Sequence, residues 1–94
     1  MIRTAALDDI LRQVERYAAQ NLPAIARRFA AAALTAIETA IETPATTPGV
    51  HTRPIKGFTD FSLYYQVPIG AEGRACGTTI LRVLHTKRDI ETIP

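Results

Sequence analysis

The sequence predicts an α+β domain: an N-terminal antiparallel helical hairpin packed on one face of a small antiparallel β-sheet. Three observations predict it. Apolar residues recur at helical spacing through the first half of the chain, and β-branched and aromatic runs occupy the second half. The order is helices first and strands after, which separates the two kinds of element instead of alternating them.

The first helix starts after a stub of at most three residues. Thr4 is the predicted N-cap, and Asp8 and Asp9 are placed to complement the helix dipole. Leu7, Ile10, Leu11, Val14, Tyr17 and Ala18 form one apolar stripe, with Arg12, Gln13, Glu15 and Arg16 opposite. Gln20-Asn21 and then Pro23 close this helix and open the next, since proline suits the first helical turn. The second helix is alanine-rich and runs to Glu42, with Ala26, Phe29, Ala30, Ala33, Leu34, Ile37, Ala40 and Ile41 on its apolar side. So short a connection predicts antiparallel neighbours, a hairpin over about residues 5–42.

Residues 43–54 hold three prolines and a glycine without periodicity, and read as a surface connection containing an exposed His51. A short strand starts at about Arg53, with Pro54 marking a sheet edge and Gly57 ending it. In the next run Phe61, Leu63, Tyr65 and Val67 alternate with Ser62, Tyr64 and Gln66, so one face meets the helices and the other is partly wet. The last run, Thr78 to Leu84, reads as a strand buried on both faces, interrupted by Arg82. Gly70 to Gly73 joins these two runs as an antiparallel hairpin. The sheet is thus expected over about residues 53–86, in a single domain of 94 residues.

Composition narrows the function classes. A chain this short buries little more than about 60% of its unfolded surface, so a partner that covers apolar area would add to its stability. No apolar run approaches the roughly 20 residues that cross a bilayer, and the N-terminus lacks a signal-type stretch. A single cysteine, Cys76, forms no internal disulfide, which suits the cytoplasm. Residues 1–43 carry five basic and five acidic side chains, and residues 44–94 carry six and four, so the net charge of +2 resides in the second half. That permits an anionic partner without demanding one. Six aromatics and no tryptophan argue against a base-stacking surface and leave room for weak nucleic-acid contact only.

The candidate chemistry lies at the strand ends. His85 is either a general acid/base, for its pKa near neutrality, or a cap on the strand end. Arg82 must reach water or a carboxylate: the wet sheet face, or a pair with Asp60 or Asp89. Arg53, Lys56, Lys87 and Arg88 gather near the ends of adjacent strands as an anion-binding patch, or stand as a solvated surface. No metal-ligand spacing, glycine-rich phosphate loop or nucleophile elbow is present, and no cofactor is called for.

The run Phe61–Val67 followed by Ile80-Leu81-Arg82-Val83-Leu84-His85 and the Lys87-Arg88-Asp89 ending resembles the C-terminal half of the RelE/ParE superfamily of toxins of type II toxin–antitoxin (plasmid stabilisation) systems, the ParE branch above all. That resemblance implies a non-catalytic protein that inhibits DNA gyrase by binding it. It also implies a ParD-like antitoxin that wraps the toxin in a hetero-oligomer; Arg53, Lys56, Arg82, His85, Lys87 and Arg88, at the basic strand ends, are the expected partner- and target-binding set. The alternative branch, RelE-like, implies a ribosome-dependent mRNA endonuclease. There an arginine stands in the strand matching Phe61–Val67 and a tyrosine follows the basic pair. This chain has Ser62 near the first place and no tyrosine in its tail. A third reading, a family member without toxicity, follows from the short N-terminal strand.

Overall fold

The computed structural model describes residues 2–43, 47–69 and 77–86. Two helices, α1 (Thr4–Ala19) and α2 (Pro23–Glu42), precede three strands, β1 (Gly49–Ile55), β2 (Phe58–Val67) and β3 (Thr79–His85). The strands form one antiparallel sheet in the order β1-β2-β3. The helices pack on it as an antiparallel hairpin, α1 over β3 and α2 over β2 and β1.

Pro23 opens α2 as expected, and Asn21 turns the chain with φ 60, a left-handed conformation that asparagine tolerates. The N-cap of α1 is Arg3, without side-chain capping, while Thr4 is already helical. Asp8 and Asp9 lie beyond the first turn of α1, too far in to serve as dipole partners.

β1 starts at Gly49, several residues before the expected Arg53, so half of the proline-rich stretch is strand. Local proline content outweighed β-propensity in the sequence; cross-strand pairing from His51↔Tyr65 to Pro54↔Ser62 overrides it here. Pro54 sits on an edge strand, where its missing N–H costs least. Lys56-Gly57 then forms a tight turn, and Gly57 adopts φ 84, which glycine takes without strain.

The core lies between the hairpin and one sheet face. Ala6, Ile10, Phe29, Ala33, Ile37 and Ala40 meet Ile55, Phe61, Leu63, Tyr65, Val67, Ile80 and Val83. Small alanines let α2 approach closely, and aromatic rings fill the end near the helix turn. Phe29 stands edge-on to Phe58 and Phe61 at centroid distances of 5.2 and 4.9 Å, with Tyr17 behind it at 5.9 Å.

Two expectations change on packing. Leu7, Leu11, Leu34 and Ile41, all assigned to the apolar stripes, are exposed, because the sheet covers only part of each stripe. β3 is an edge strand, with Ile80, Val83 and Leu84 buried and Leu81 and Arg82 half-buried. Its regular alternation also breaks: Tyr64 opposes Arg82 but Tyr65 opposes Ile80, leaving Leu81 as a β-bulge. Ile80 and Val83, three apart, therefore both enter the core, and Arg82 no longer shares a face with Ile80. The Gly70–Gly73 linker and Cys76 lie outside the described residues.

Phe29 is fully buried at the centre of the aromatic group. Phe29→Ala should lower unfolding free energy by about 3–5 kcal/mol, read from denaturant midpoints, whereas Leu34→Ala on the exposed side should change it by well under about 1 kcal/mol.

Candidate functional site: the strand ends and the α2–β1 cleft

β1 and β3 both run antiparallel to β2, so their C-terminal ends fall at the same end of the sheet. Lys56 follows β1 there, and His85 ends β3 opposite Phe61. The His85 ring stands edge-on to Phe61, at 5.1 Å and an interplanar angle of 86°. Thr86 extends the ladder past His85, its N–H donating to the Asp60 carbonyl at 2.7 Å. Lys87 and Arg88 lie outside the described residues.

Arg82 meets a carboxylate other than those expected, while Asp89 lies outside the described residues. Asp9 of α1 is its partner: Nε donates to Oδ2 at 2.7 Å and Nη2 to Oδ1 at 2.8 Å. This is a two-pronged guanidinium–carboxylate pair, the geometry that makes such bonds strong. Oδ2 of Asp9 also accepts from the backbone N–H of Val83 at 3.0 Å. The Asp9 side chain is 6% exposed and that of Arg82 25%. The physical reason is the edge position of β3. Its outer side would otherwise leave backbone donors unpaired under α1, and a carboxylate satisfies donor and cation together.

Asp9 is the residue that sequence reasoning missed. A signal was present, since Ala6, Asp9, Ile10, Gln13 and Tyr17 also share one helical face, and Asp9 and Gln13 are buried there. The larger side chains of Leu7 and Leu11 outweighed it.

Arg53 lies across from Leu63 in β1, half-buried, while Lys56 is exposed. Both line a cleft of ≈ 370 Å³ between β1 and α2, together with Pro54 and with Ala32, Thr35, Ala36 and Thr39 of the helix. One wall is cationic, the floor is methyl groups, and two threonines add hydroxyls. His51 is not a loop residue: it stacks on Tyr65 at 5.6 Å, and its Nε2 lies 2.7 Å from the Thr47 carbonyl.

The structure therefore gathers Arg53 and Lys56 in one cleft and brings His85 to the same end of the sheet across β2. It draws Arg82 to the opposite edge. Among the described residues no group of three histidine, cysteine, aspartate or glutamate side chains is placed to hold a metal ion, and no helix is long and apolar enough to cross a membrane. The arrangement is suited to binding anionic groups beside apolar ones.

The family model described as the ParE toxin of type II toxin–antitoxin system, parDE, matches residues 1–90. No curated protein and no solved structure matches.

Asp9→Ala should strand the Arg82 guanidinium and the Val83 N–H, lowering stability by about 2–3 kcal/mol, between values typical of exposed and of buried pairs. A double-mutant cycle with Arg82→Met should return a coupling energy of at least about 1 kcal/mol; a coupling near zero would show that the pair is structurally idle.

Proposed function

The chain belongs to the ParE toxin family of type II toxin–antitoxin systems, and from that premise we propose that it arrests growth by occupying a surface of DNA gyrase. A ParD-like antitoxin holds it inactive in a cytoplasmic hetero-oligomer, as part of a plasmid stabilisation system. The observation that carries this reading is the extent of the family match, which takes in both helices and all three strands.

Two features support binding in place of bond cleavage. The sequence lacks the strand arginine and the tail tyrosine of the RelE-like nucleases, with Ser62 near the first place. The half-buried His85 ring packs against Phe61, a setting that suits a structural ring. A need for an antitoxin is supported by Leu7, Leu11, Leu34 and Ile41, large aliphatic side chains 44–58% exposed on the two helices. Exposed apolar surface of this kind marks a contact with a partner.

The target-contact set is Arg53, Lys56, His85, Lys87 and Arg88. Arg82 contributes through the quarter of its side chain that Asp9 leaves exposed. Any contact with DNA in the gyrase complex is weak, because few cations are available to neutralise phosphates.

Controlled expression in bacteria should stop growth, and coexpression of a ParD-like antitoxin encoded beside the gene should restore it. Purified protein should inhibit gyrase supercoiling, with Lys87→Ala and Arg88→Ala together weakening inhibition about tenfold. Messenger RNA on ribosomes should stay intact; cleavage that Arg88→Ala abolishes would establish the nuclease reading in its place.

A further inference from the structure

Each helix of the hairpin carries an apolar row on its outer side, and the two rows have the same spacing. Leu7, Leu11 and Ala18 stand at i, i+4 and i+11 on α1, and Ala30, Leu34 and Ile41 do so on α2. Leu7 and Leu11 lie two residues either side of Asp9, which sets them nearly opposite it on the helix. Asp9 reaches the outer side of β3, so the opposite flank of α1 looks toward α2. Leu34 and Ile41 stand in the same relation to Ala32 and Thr39, which line the β1 side of α2, and so look toward α1. The rows therefore run along the seam between the helices, where their four large side chains are 44–58% exposed.

Size and charge are both graded along this seam. Because the helices are antiparallel, Leu7 and Ile41 share the end remote from the connecting turn, and Ala18 and Ala30 share the end beside it. Residues 12–31, around the turn, hold four arginines and one glutamate. Residues 4–11 and 32–42 hold four carboxylates and no cation, and Asp9 alone among these is paired, with Arg82. A bulky acidic half and a small-residue cationic half complement each other. A two-fold axis across the middle of the hairpin brings one against the other, since Arg27 and Glu38 are equally distant from the midpoint of α2.

We propose that this face pairs, end for end, with the same face of a second copy of the chain. Leu7 and Ile41 of one copy then rest on Ala18 and Ala30 of the other, and Leu11 and Leu34 meet close to the axis. Arg27 faces Glu38 of the second copy, and symmetry makes that contact twice. The two hairpins together form a four-helix arrangement that removes the exposed aliphatics from water. Pairing in the parallel sense would set arginine against arginine and carboxylate against carboxylate, so charge selects the end-for-end form. The inference goes beyond the reading that a neutralising partner covers these aliphatics, by naming what covers them in the free chain.

The test is analytical ultracentrifugation of the full chain, purified free of any partner. Its average mass should rise from that of one chain, 10.3 kDa, toward twice that value between about 1 and about 100 μM. Leu34→Glu and, independently, Leu11→Glu should stay monomeric throughout, with the circular dichroism of the parent, because both positions are exposed in the single chain. Arg27→Glu should weaken the dimer about tenfold, and adding Glu38→Arg to it should restore the parent affinity, since the swap re-creates the same contact with its signs exchanged. A purely structural role for either residue predicts no such rescue.

A chain that is monomeric at every concentration overturns the proposal, as does a dimer that both glutamate variants leave intact. A charge swap that fails to restore the dimer overturns the end-for-end pairing. A face that stays open in the free chain and is covered only when an antitoxin is added assigns it to that protein instead. A monomer that still arrests growth sinks this inference alone, whereas a dimer through this face that leaves growth and gyrase supercoiling untouched sinks the gyrase reading and not this one.

Discussion

A guanidinium on an edge strand has to stay in water or find a counter-charge, and Arg82 finds Asp9 on the first helix. The same carboxylate accepts the Val83 N–H, so one side chain closes a cation and a backbone donor at once. Just upstream, the Arg3 N–H donates to the Ile80 carbonyl at 3.0 Å, and Ile2 bridges Ile80 in parallel fashion. Together these contacts do for the outer side of β3 what a further strand would do: they occupy its ladder groups and block edge-to-edge association. They also fix the position of α1 along β3. The Leu81 bulge belongs to the same solution, because the extra residue re-aims Arg82 while keeping Ile80 and Val83 in the core.

The hairpin's apolar surface is wider than the sheet that receives it. Alanines at positions 26, 33, 36 and 40 bring α2 close to the strands, and the larger aliphatics at 34 and 41 are left outside. Close packing on one flank and exposed aliphatics on another leave a small domain with a thin core and surface to spare. That combination accords with a toxin whose working life is divided between a neutralising partner and a target. The two open features, the aliphatic flank and the α2–β1 cleft, differ in chemistry: the one is hydrocarbon, the other sets two cations beside methyl groups.

Charge placement follows from topology more than from number. With a net charge of only +2, the chain has no field strong enough to steer nucleic acid from a distance. What the sheet does is bring Lys56 and His85 to one end and keep Arg53 beside α2, while Asp9 removes Arg82 from that group. Among the described residues the cationic set at the strand ends is therefore smaller and more local than a count of arginines and lysines suggests.

Periodicity and punctuation by themselves determined the class and order of elements: the two helices with Pro23 opening the second, and the pairing of the run at Phe61–Val67 with the run that ends at His85. The ending of that last run also carried the family resemblance, which the match over residues 1–90 bears out. These are local properties, set by side-chain spacing and backbone preference, and so they can be read along the chain. Tertiary structure alone decided that β1 reaches back to Gly49, that β3 bulges at Leu81, that Leu7 and Leu11 face outward, and that Arg82 belongs to Asp9. Each of those depends on groups far apart in sequence, 73 residues in the case of Asp9 and Arg82. Spacing cannot encode which of several carboxylates an arginine will meet; that is settled by which helix lies over which edge once the core has closed.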